Sequence, residues 1–298
     1  MARAKSRTAN SLAPAIGRLA QAEGCSRTRH PSVVVWRMTV AEPPTPTLYA
    51  ASLIIVGSGK KQATLGDDTF GYDADHLLVV TSPLPMLCRT IASVELPVLT
   101  LVVEIDVGLL RELLLEVGLP RQQPHTAAPV RTVFRTSLSR EIEDAAARLL
   151  AHLEDEVRTS ALARQTIREL LFFALQTPHG NSLRAIAEGP SSQFAHVLRH
   201  INAKYPERMS IDALARMANT SIPTFHQRFK ATTGSTPLQY IKALRLTRAR
   251  QMLAAGGLVK TVARSVGYES ESQFSREYRR FFGTPPSASS TLLPGERG

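Results

Sequence analysis

The stretch VARSVGYESESQFSREYRRFFGTPP, residues 262–286, has a near copy upstream in LARMANTSIPTFHQRFKATTGSTP, residues 214–237. Ala215 matches Ala263, Ala218 matches Val266 and Asn219 matches Gly267, all at an offset of 48. Phe225 then matches Phe274, Phe229 matches Tyr278, Gly234 matches Gly283 and Pro237 matches Pro286, all at an offset of 49. One extra residue has therefore entered the turn of the second copy. Apolar positions, turn residues and terminators recur in one order, which marks a duplicated structural unit.

Each copy carries the chemistry of a helix-turn-helix. A small residue, Ala215 or Ala263, lets two helices approach closely. Asn219 and Gly267 stand where the turn needs a left-handed backbone, which these residue types tolerate best. Ser221 and Ser270 are placed to cap the second helix. Phe225 with Phe229, and Phe274 with Tyr278, are i, i+4 pairs that pin that helix to a core. The opposite face is polar: Thr224, Gln227 and Arg228 in the first copy, Ser272, Gln273, Arg276 and Arg279 in the second. Glutamine and arginine suit bidentate reading of adenine and guanine edges.

Between the copies, Thr236 and Pro237 open a long helix as cap and first residue. Leu246, Ala249 and Leu253 give it one apolar stripe, and Gly256-Gly257 ends it. A rigid spacer of this kind would set two recognition helices into successive major grooves, about 34 Å apart. Ahead of the repeat, Phe194, Val197, Leu198 and Ile201 mark a helix closed by Pro206. Ile211, Leu214, Ala215 and Ala218 mark the next, with Ser210 as its cap.

Charge is distributed accordingly. Of the +11 net charge, residues 194–298 supply nearly all, with 16 Lys+Arg against 6 Asp+Glu, whereas residues 1–193 are close to balanced at 20 against 19. A local basic excess is the footprint of a polyanionic partner, because phosphate contacts release condensed counterions.

The front of the chain has another texture. From Pro31 to Ile105 short β-rich runs (VVVWR, SLIIV, QATL, TFGY, HLLVV, LTLVVEI) alternate with turn-like punctuation (PPTP, GSG, GDD, DAD, SPLP), the spacing of an antiparallel sandwich or barrel. Asp106 is placed to cap a helix that Gly118 and Pro120 stop. After a Pro-, Gln- and Ala-containing loop (119–130) come two helical segments. Ile142, Ala146, Leu149, Leu150 and Leu153 share a face in one, and Ile167, Leu170, Leu171 and Ala174 in the other. Residues 11–22 read as a short helix with Pro14 in its first turn.

The expected organisation is a basic tail and short helix over 1–30, a sensing and dimerisation domain over 31–186, a linker over 187–193, the double helix-turn-helix domain over 194–291, and a tail over 292–298. The first ten residues lack the apolar stretch of a secretory signal. No apolar run approaches the ~18 residues of a membrane span. Cys25 and Cys88 form neither a disulfide framework nor a zinc site by themselves, which suits a reducing, cytoplasmic compartment.

Residues 194–290, above all VARSVGYESESQFSREYRRFFGTPPSA, resemble the AraC/XylS family of bacterial regulators. Residues 31–118, chiefly PTLYAASLIIVGSGKKQATLGDDTFGYDADHLLVVTSPLPM, resemble the cupin-like N-terminal domain of one branch of that family. The resemblance implies an α+β protein: a cupin-like β-barrel with flanking helices, then an all-α domain of two helix-turn-helix units joined by a long helix. It implies binding to double-stranded promoter DNA, activation or repression modulated by a small molecule, and RNA polymerase as partner if the protein activates; the helical segments at 139–176 are read as available for pairing in a homodimer. It carries base reading to Pro223, Thr224, His226 and Gln227 in the first unit and to Glu271, Ser272, Gln273 and Arg276 in the second. Phosphate contact falls to Ser221, Arg228 and Lys230, and to Ser270, Arg279 and Arg280. Pro223 departs from the pattern, since it offers no donor.

Other signals are weaker. GSGKK (57–61) lacks the first glycine and the Ser/Thr of a phosphate loop and reads as a hairpin turn. Asp67, Asp68, Asp73 and Asp75 lack calcium-loop spacing. His76 stands apart from other histidines, so neither a metal nor another cofactor is expected. Cys88 reads as a packed thiol. No catalytic array stands out, and an enzyme is not expected. The competing reading is a ligand-independent, nonspecific nucleoid-type binder, which would lack the ~10³-fold site preference of a regulator.

Overall fold

Residues 33–105 hold apolar side chains on both faces of several strands, and both faces must therefore be covered. The computed structural model, which describes residues 7–118, 131–187 and 193–291, shows how. In chain order it comprises α1 (Ala13–Leu19), β1 (Gly24–Arg27), β2 (Val33–Met38), β3 (Glu42–Tyr49), β4 (Ser52–Ser58), β5 (Lys60–Leu65), β6 (Asp68–Asp73), β7 (His76–Val80), β8 (Leu84–Ile91), β9 (Val98–Glu104), α2 (Val107–Val117) and β10 (Val133–Ser137). There follow α3 (Arg140–Leu153), α4 (Glu156–Leu175), α5 (Gly180–Ala187), α6 (Gln193–Lys204), α7 (Ile211–Met217), α8 (Ile222–Thr233), α9 (Pro237–Ala254), α10 (Val259–Ser265), α11 (Glu271–Phe282) and a closing 3₁₀ turn, Pro286–Thr291.

The strands form two antiparallel sheets, ordered β1-β2-β9-β4-β7-β10 and β3-β8-β5-β6. Register in the first sheet aligns Leu53 with Val79 and Val103, and Ile54 with Leu78 and Val102. Leu53, Val79 and Val103 join the core under the helices, while Ile54 and Leu78 join the core that contains Tyr49, Tyr72, Met86 and Cys88 of the second sheet. The β-domain is thus a face-to-face sandwich with a helical layer outside. The two sheets do not close into one ladder, so a barrel is realised only in part.

Three local expectations change. PPTP (43–46) is not a turn but lies within β3, an edge strand that pairs only with β8 and shifts register between Glu42 and Thr45. Proline lacks the N–H that a central strand would need, and the edge tolerates it. SPLP likewise runs into β8. The GSGKK segment is not a hairpin, because β4 and β5 belong to different sheets. It is a corner with left-handed Gly59 (φ +76), where any Cβ would sit 2.7 Å from a Val98 methyl. Strands β1, β3, β8 and β10 and helix α5 went unread in the sequence.

On the helical side, Asp106 caps α2 through the Gly108 and Leu109 amides and left-handed Gly118 ends it. Ile142, Ala146, Leu149, Leu150 and Leu153 of α3 and Ile167, Leu170, Leu171 and Ala174 of α4 are buried in the N-terminal core. The apolar faces of both helices are turned inward. Residues 7–20 are no separate tail: Arg7 pairs with Asp75 at 2.5 Å, the Asn10 amide donates to the carbonyls of Val56 and Ala74, and Leu12 and Ile16 are fully buried. The first six residues, the loop 119–130, most of the linker and the last seven residues lie outside the described residues.

The helical C-terminal domain docks on one end of the sandwich. Val197, Phe225, Phe229 and Tyr240 share a hydrophobic core with Tyr49, Tyr72 and Met86. Tyr240 Oη donates to the Pro83 carbonyl (2.6 Å), and Thr132 Oγ1 donates to the Thr232 carbonyl (2.6 Å). Gly234, at the end of α8, lies directly against Gly66 in the β5–β6 turn.

Candidate nucleic-acid interface

The repeat is reproduced bond for bond. In the first unit, the amides of Asn219 and Thr220 donate to the carbonyls of Arg216 and Ala215 (2.9 and 3.1 Å). In the second, Gly267 and Tyr268 donate to Arg264 and Ala263 (3.0 and 2.9 Å). Asn219 (φ +52) is the one non-glycine residue of positive φ among the described residues, and Gly267 has φ +89. Both therefore occupy the conformation that the turn demands. Ser221 Oγ accepts the Thr224 amide and Ser270 Oγ the Gln273 amide, satisfying orphan donors at the start of α8 and α11. Left-handed Gly234 and Gly283 end those helices with matching bonds to Lys230 and Arg279 (2.9 and 2.8 Å). The offset is still 48 at Thr220 and Tyr268 and already 49 at the two serine caps, so the inserted residue is Glu269.

Aromatic pairs hold each recognition helix from behind. Phe225 and Phe229 lie 5.5 Å apart, as do Phe274 and Tyr278, and all four are fully buried. Because the rings share one face, the other must point outward. Pro223, Gln227, Arg228 and Lys230 are exposed on α8, with Thr224 and His226 half-buried. Glu271, Ser272, Gln273, Arg276, Arg279 and Arg280 are all exposed on α11. The structure thus brings the anticipated site residues onto the outer faces of two equivalent helices.

The cations on these two helices stand free of carboxylates. Arg18, Arg148 and Arg164 of the N-terminal domain each pair with a carboxylate. Among the described residues, Arg228, Lys230, Arg276, Arg279 and Arg280 have no ion-pair partner. Cations left unpaired on one face keep their full attraction for a polyanion. Glu271 stands in the first turn of α11, where a carboxylate favours the helix dipole. The Ser221 hydroxyl is also engaged with Thr224 Oγ1 at 2.9 Å, so both serines serve first as caps. Gln273 Nε2 donates to Glu277 Oε1 at 3.4 Å, which orients one of the candidate base readers. Glu277 in turn bonds Lys242 and Tyr268. Burial alone would raise its carboxyl pKa, but these three partners outweigh it and hold the group below the ordinary value. Lys242 and its neighbour Arg245 on α9 were not singled out in the sequence, where only the apolar stripe and the ends of the spacer helix carried a signal.

No group of three or more His, Cys, Asp or Glu converges among the described residues. His76 Nδ1 lies 2.6 Å from Asp73 Oδ1 in the β6–β7 turn. Cys88 Sγ accepts from the Tyr49 hydroxyl at 2.9 Å inside the sandwich. No helix among the described residues is long and apolar enough to cross a membrane.

Two helix-turn-helix units on one helical domain, carried behind a two-sheet domain, define a DNA-binding protein of the double-unit type. The chain belongs to the AraC-type transcriptional regulators: residues 29–182 match the model of that family's N-terminus, and residues 214–290 match a helix-turn-helix domain. It is 31% identical over 140 residues to the HTH-type transcriptional activator RhaS of Escherichia fergusonii, covering 46% of this chain and 50% of that protein. The chain spans about half the length of the curated relatives it matches. Its fold is similar to that of ToxT from Vibrio cholerae, with a TM-score of 0.66 at 11% identity over 88% of this chain and 98% of that one. A second structure of ToxT, with unsaturated fatty acid bound, aligns with a TM-score of 0.64 at 9% identity over 89% and 96%. At such identities the likeness is one of fold.

Proposed function

We propose that this chain is a cytoplasmic, sequence-specific regulator of bacterial promoters whose two recognition helices enter successive major grooves. The observation that carries the reading is the pair of equivalent helices presenting unpaired arginines and glutamines outward. Gln227, Gln273 and Arg276, with Thr224, His226, Glu271 and Ser272 around them, face base edges, and Pro223 offers apolar contact to a thymine methyl. Arg228, Lys230, Arg279 and Arg280 meet phosphates and set the register, with the Ser221 and Ser270 hydroxyls beside them. Residues 31–186 act as the sensing and pairing domain, 187–193 as the linker and 194–291 as the reader. A small molecule bound by the sandwich biases how the reader sits on DNA, in line with the fatty acid held by ToxT. The active species is a homodimer paired through the outer faces of α3 and α4, and an activating role brings RNA polymerase as a partner.

Selection of bound duplexes from a random pool tests this reading, followed by affinity for the winner and for scrambled DNA across salt. The expected result is two half-elements about one helical turn apart and a preference of ~10³ or more. No enrichment, with binding that only fades as salt rises, would replace it with a nonspecific binder.

A further inference from the structure

One side chain of the spacer helix bonds to both units. Arg245, on α9, sends Nε to the Tyr205 carbonyl (2.7 Å) and Nη2 to those of Glu207 (2.9 Å) and Pro206 (3.4 Å), all in the α6–α7 loop of the first unit. Its Nη1 reaches the Gly267 carbonyl (3.2 Å) in the turn of the second unit. A guanidinium offers five N–H donors in a rigid plane, enough for all four carbonyls, whereas an ammonium offers three. Gly267 itself lies so close to Pro206 that a Cβ there would overlap the Pro206 carbonyl. The inserted residue, Glu269, pairs with Arg208 of the same α6–α7 loop at 2.6 Å. Beside this contact the units are parted by a groove of about 420 Å³. On its far side Lys242 Nζ reaches Glu277 Oε2 at 2.9 Å, tying α9 to α11.

We infer that Arg245, assisted by the Arg208–Glu269 pair, is a positioning residue that fixes the two recognition helices relative to each other, so that the spacing between half-elements is itself part of the specificity. The inference rests on the two-groove reading above. Two tethered readers gain affinity from the second element only where their span matches it. A stiff link confines that gain to one spacing, and a loose link spreads it over several at lower affinity. The extra residue of the second turn is then an interface residue, present because the second unit must reach back to the first.

The test uses the full chain on three duplex sets: the selected site, the same site with one base pair inserted or removed between half-elements, and a site with one half-element scrambled. The wild type is expected to lose about tenfold or more on a one-base-pair change. Arg245→Ala is expected to lose about tenfold on the selected site, to stay within about twofold on the single half-element, and to flatten the spacing series. Equal losses on whole and half sites, or an unchanged spacing series, would overturn the inference. Because Arg245 is half-buried, a second arm uses the exposed pair. Arg208→Glu is expected to flatten the series and the swap Arg208→Glu with Glu269→Arg to restore it; no flattening, or none restored, would count against coupling. A wild type indifferent to spacing would overturn the two-groove reading and the coupling with it, whereas a preference retained by the variants overturns the coupling alone.

Discussion

Gly234 and Gly283 end the two recognition helices with the same left-handed backbone, φ +69 and +77, but they have different neighbours. Alanine at either position puts a side chain into a conformation that L-residues disfavour by about 1–2 kcal/mol. Around Gly283 nothing lies within 4 Å of the place a Cβ would take, so that backbone penalty is the whole effect. At Gly234 the new Cβ would lie 2.5 Å from the Gly66 nitrogen and 2.8 Å from the Leu65 carbonyl carbon. Both are backbone atoms, and no rotamer change relieves the overlap. Ordinary contact begins at 3.4 Å, so the β5–β6 turn must retreat by about 0.9 Å. A gap of that size forfeits about a quarter to a half of the dispersion energy of each contact it opens. Overpacking costs typically about 1–3 kcal/mol. Gly234→Ala is therefore expected to destabilise the chain by about 2–5 kcal/mol, against about 1–2 kcal/mol for Gly283→Ala. Urea unfolding followed by circular dichroism measures both, and proteolysis of the β5–β6 turn reports the docking directly. Equal midpoint shifts, with the turn equally protected, would refute the argument that the first unit is anchored through Gly66.

Phe274 is fully buried with the rings of Tyr268 and Tyr278 at 5.3 and 5.5 Å; Phe274→Ala should cost about 3–5 kcal/mol by calorimetry, and an unchanged melting curve would mean that the faces of α11 are assigned wrongly. Arg276→Ala should lose about 1–3 kcal/mol on the selected site and little on scrambled DNA; equal loss on both would remove its base-reading role. Burial pushes the Glu143 carboxyl up, but hydrogen bonds from Ser11 and the charge of Arg7 prevail and hold its pKa below the ordinary value. A lowered folded pKa gives stability that is present above the unfolded value and lost as pH falls through the folded one. Acidification should therefore loosen residues 7–12, read as proteolysis against pH, and Glu143→Gln should weaken that dependence while Arg7 keeps its pair with Asp75; an undiminished dependence would refute the role given to Glu143.

The reader was legible in the sequence because its constraints are local. Caps, left-handed turn positions and i, i+4 aromatic pairs all act within a dozen residues, and the repeat states them twice. The sandwich was less legible. Pro43, Pro44 and Pro46 signal a turn unless the strand is known to lie at an edge, and edges are decided by pairing with distant segments such as β8. The corner at Gly59 looks like a hairpin because local sequence specifies a reversal and not the sheet that the next strand joins. Helices α3 and α4 showed their apolar faces correctly but not their partner, which is the chain's own sheet. Arg245 was invisible for a related reason: its bonds go to backbone carbonyls, which carry no sequence signal.

Helix α9 divides its buried residues between two clusters. Tyr240, Ile241 and Leu244 belong to the core that the first unit shares with the sandwich, and Leu246, Ala249 and Leu253 to that of the second unit. The core of the first unit therefore draws on residues from both sides of the linker that composition suggests at 187–193. Cutting the chain there would leave each fragment holding part of one core, with Tyr240 separated from Pro83 and Thr232 from Thr132. Such fragments are complementary halves: mixed after separate expression, they are expected to re-form a non-covalent pair, as a split protein does.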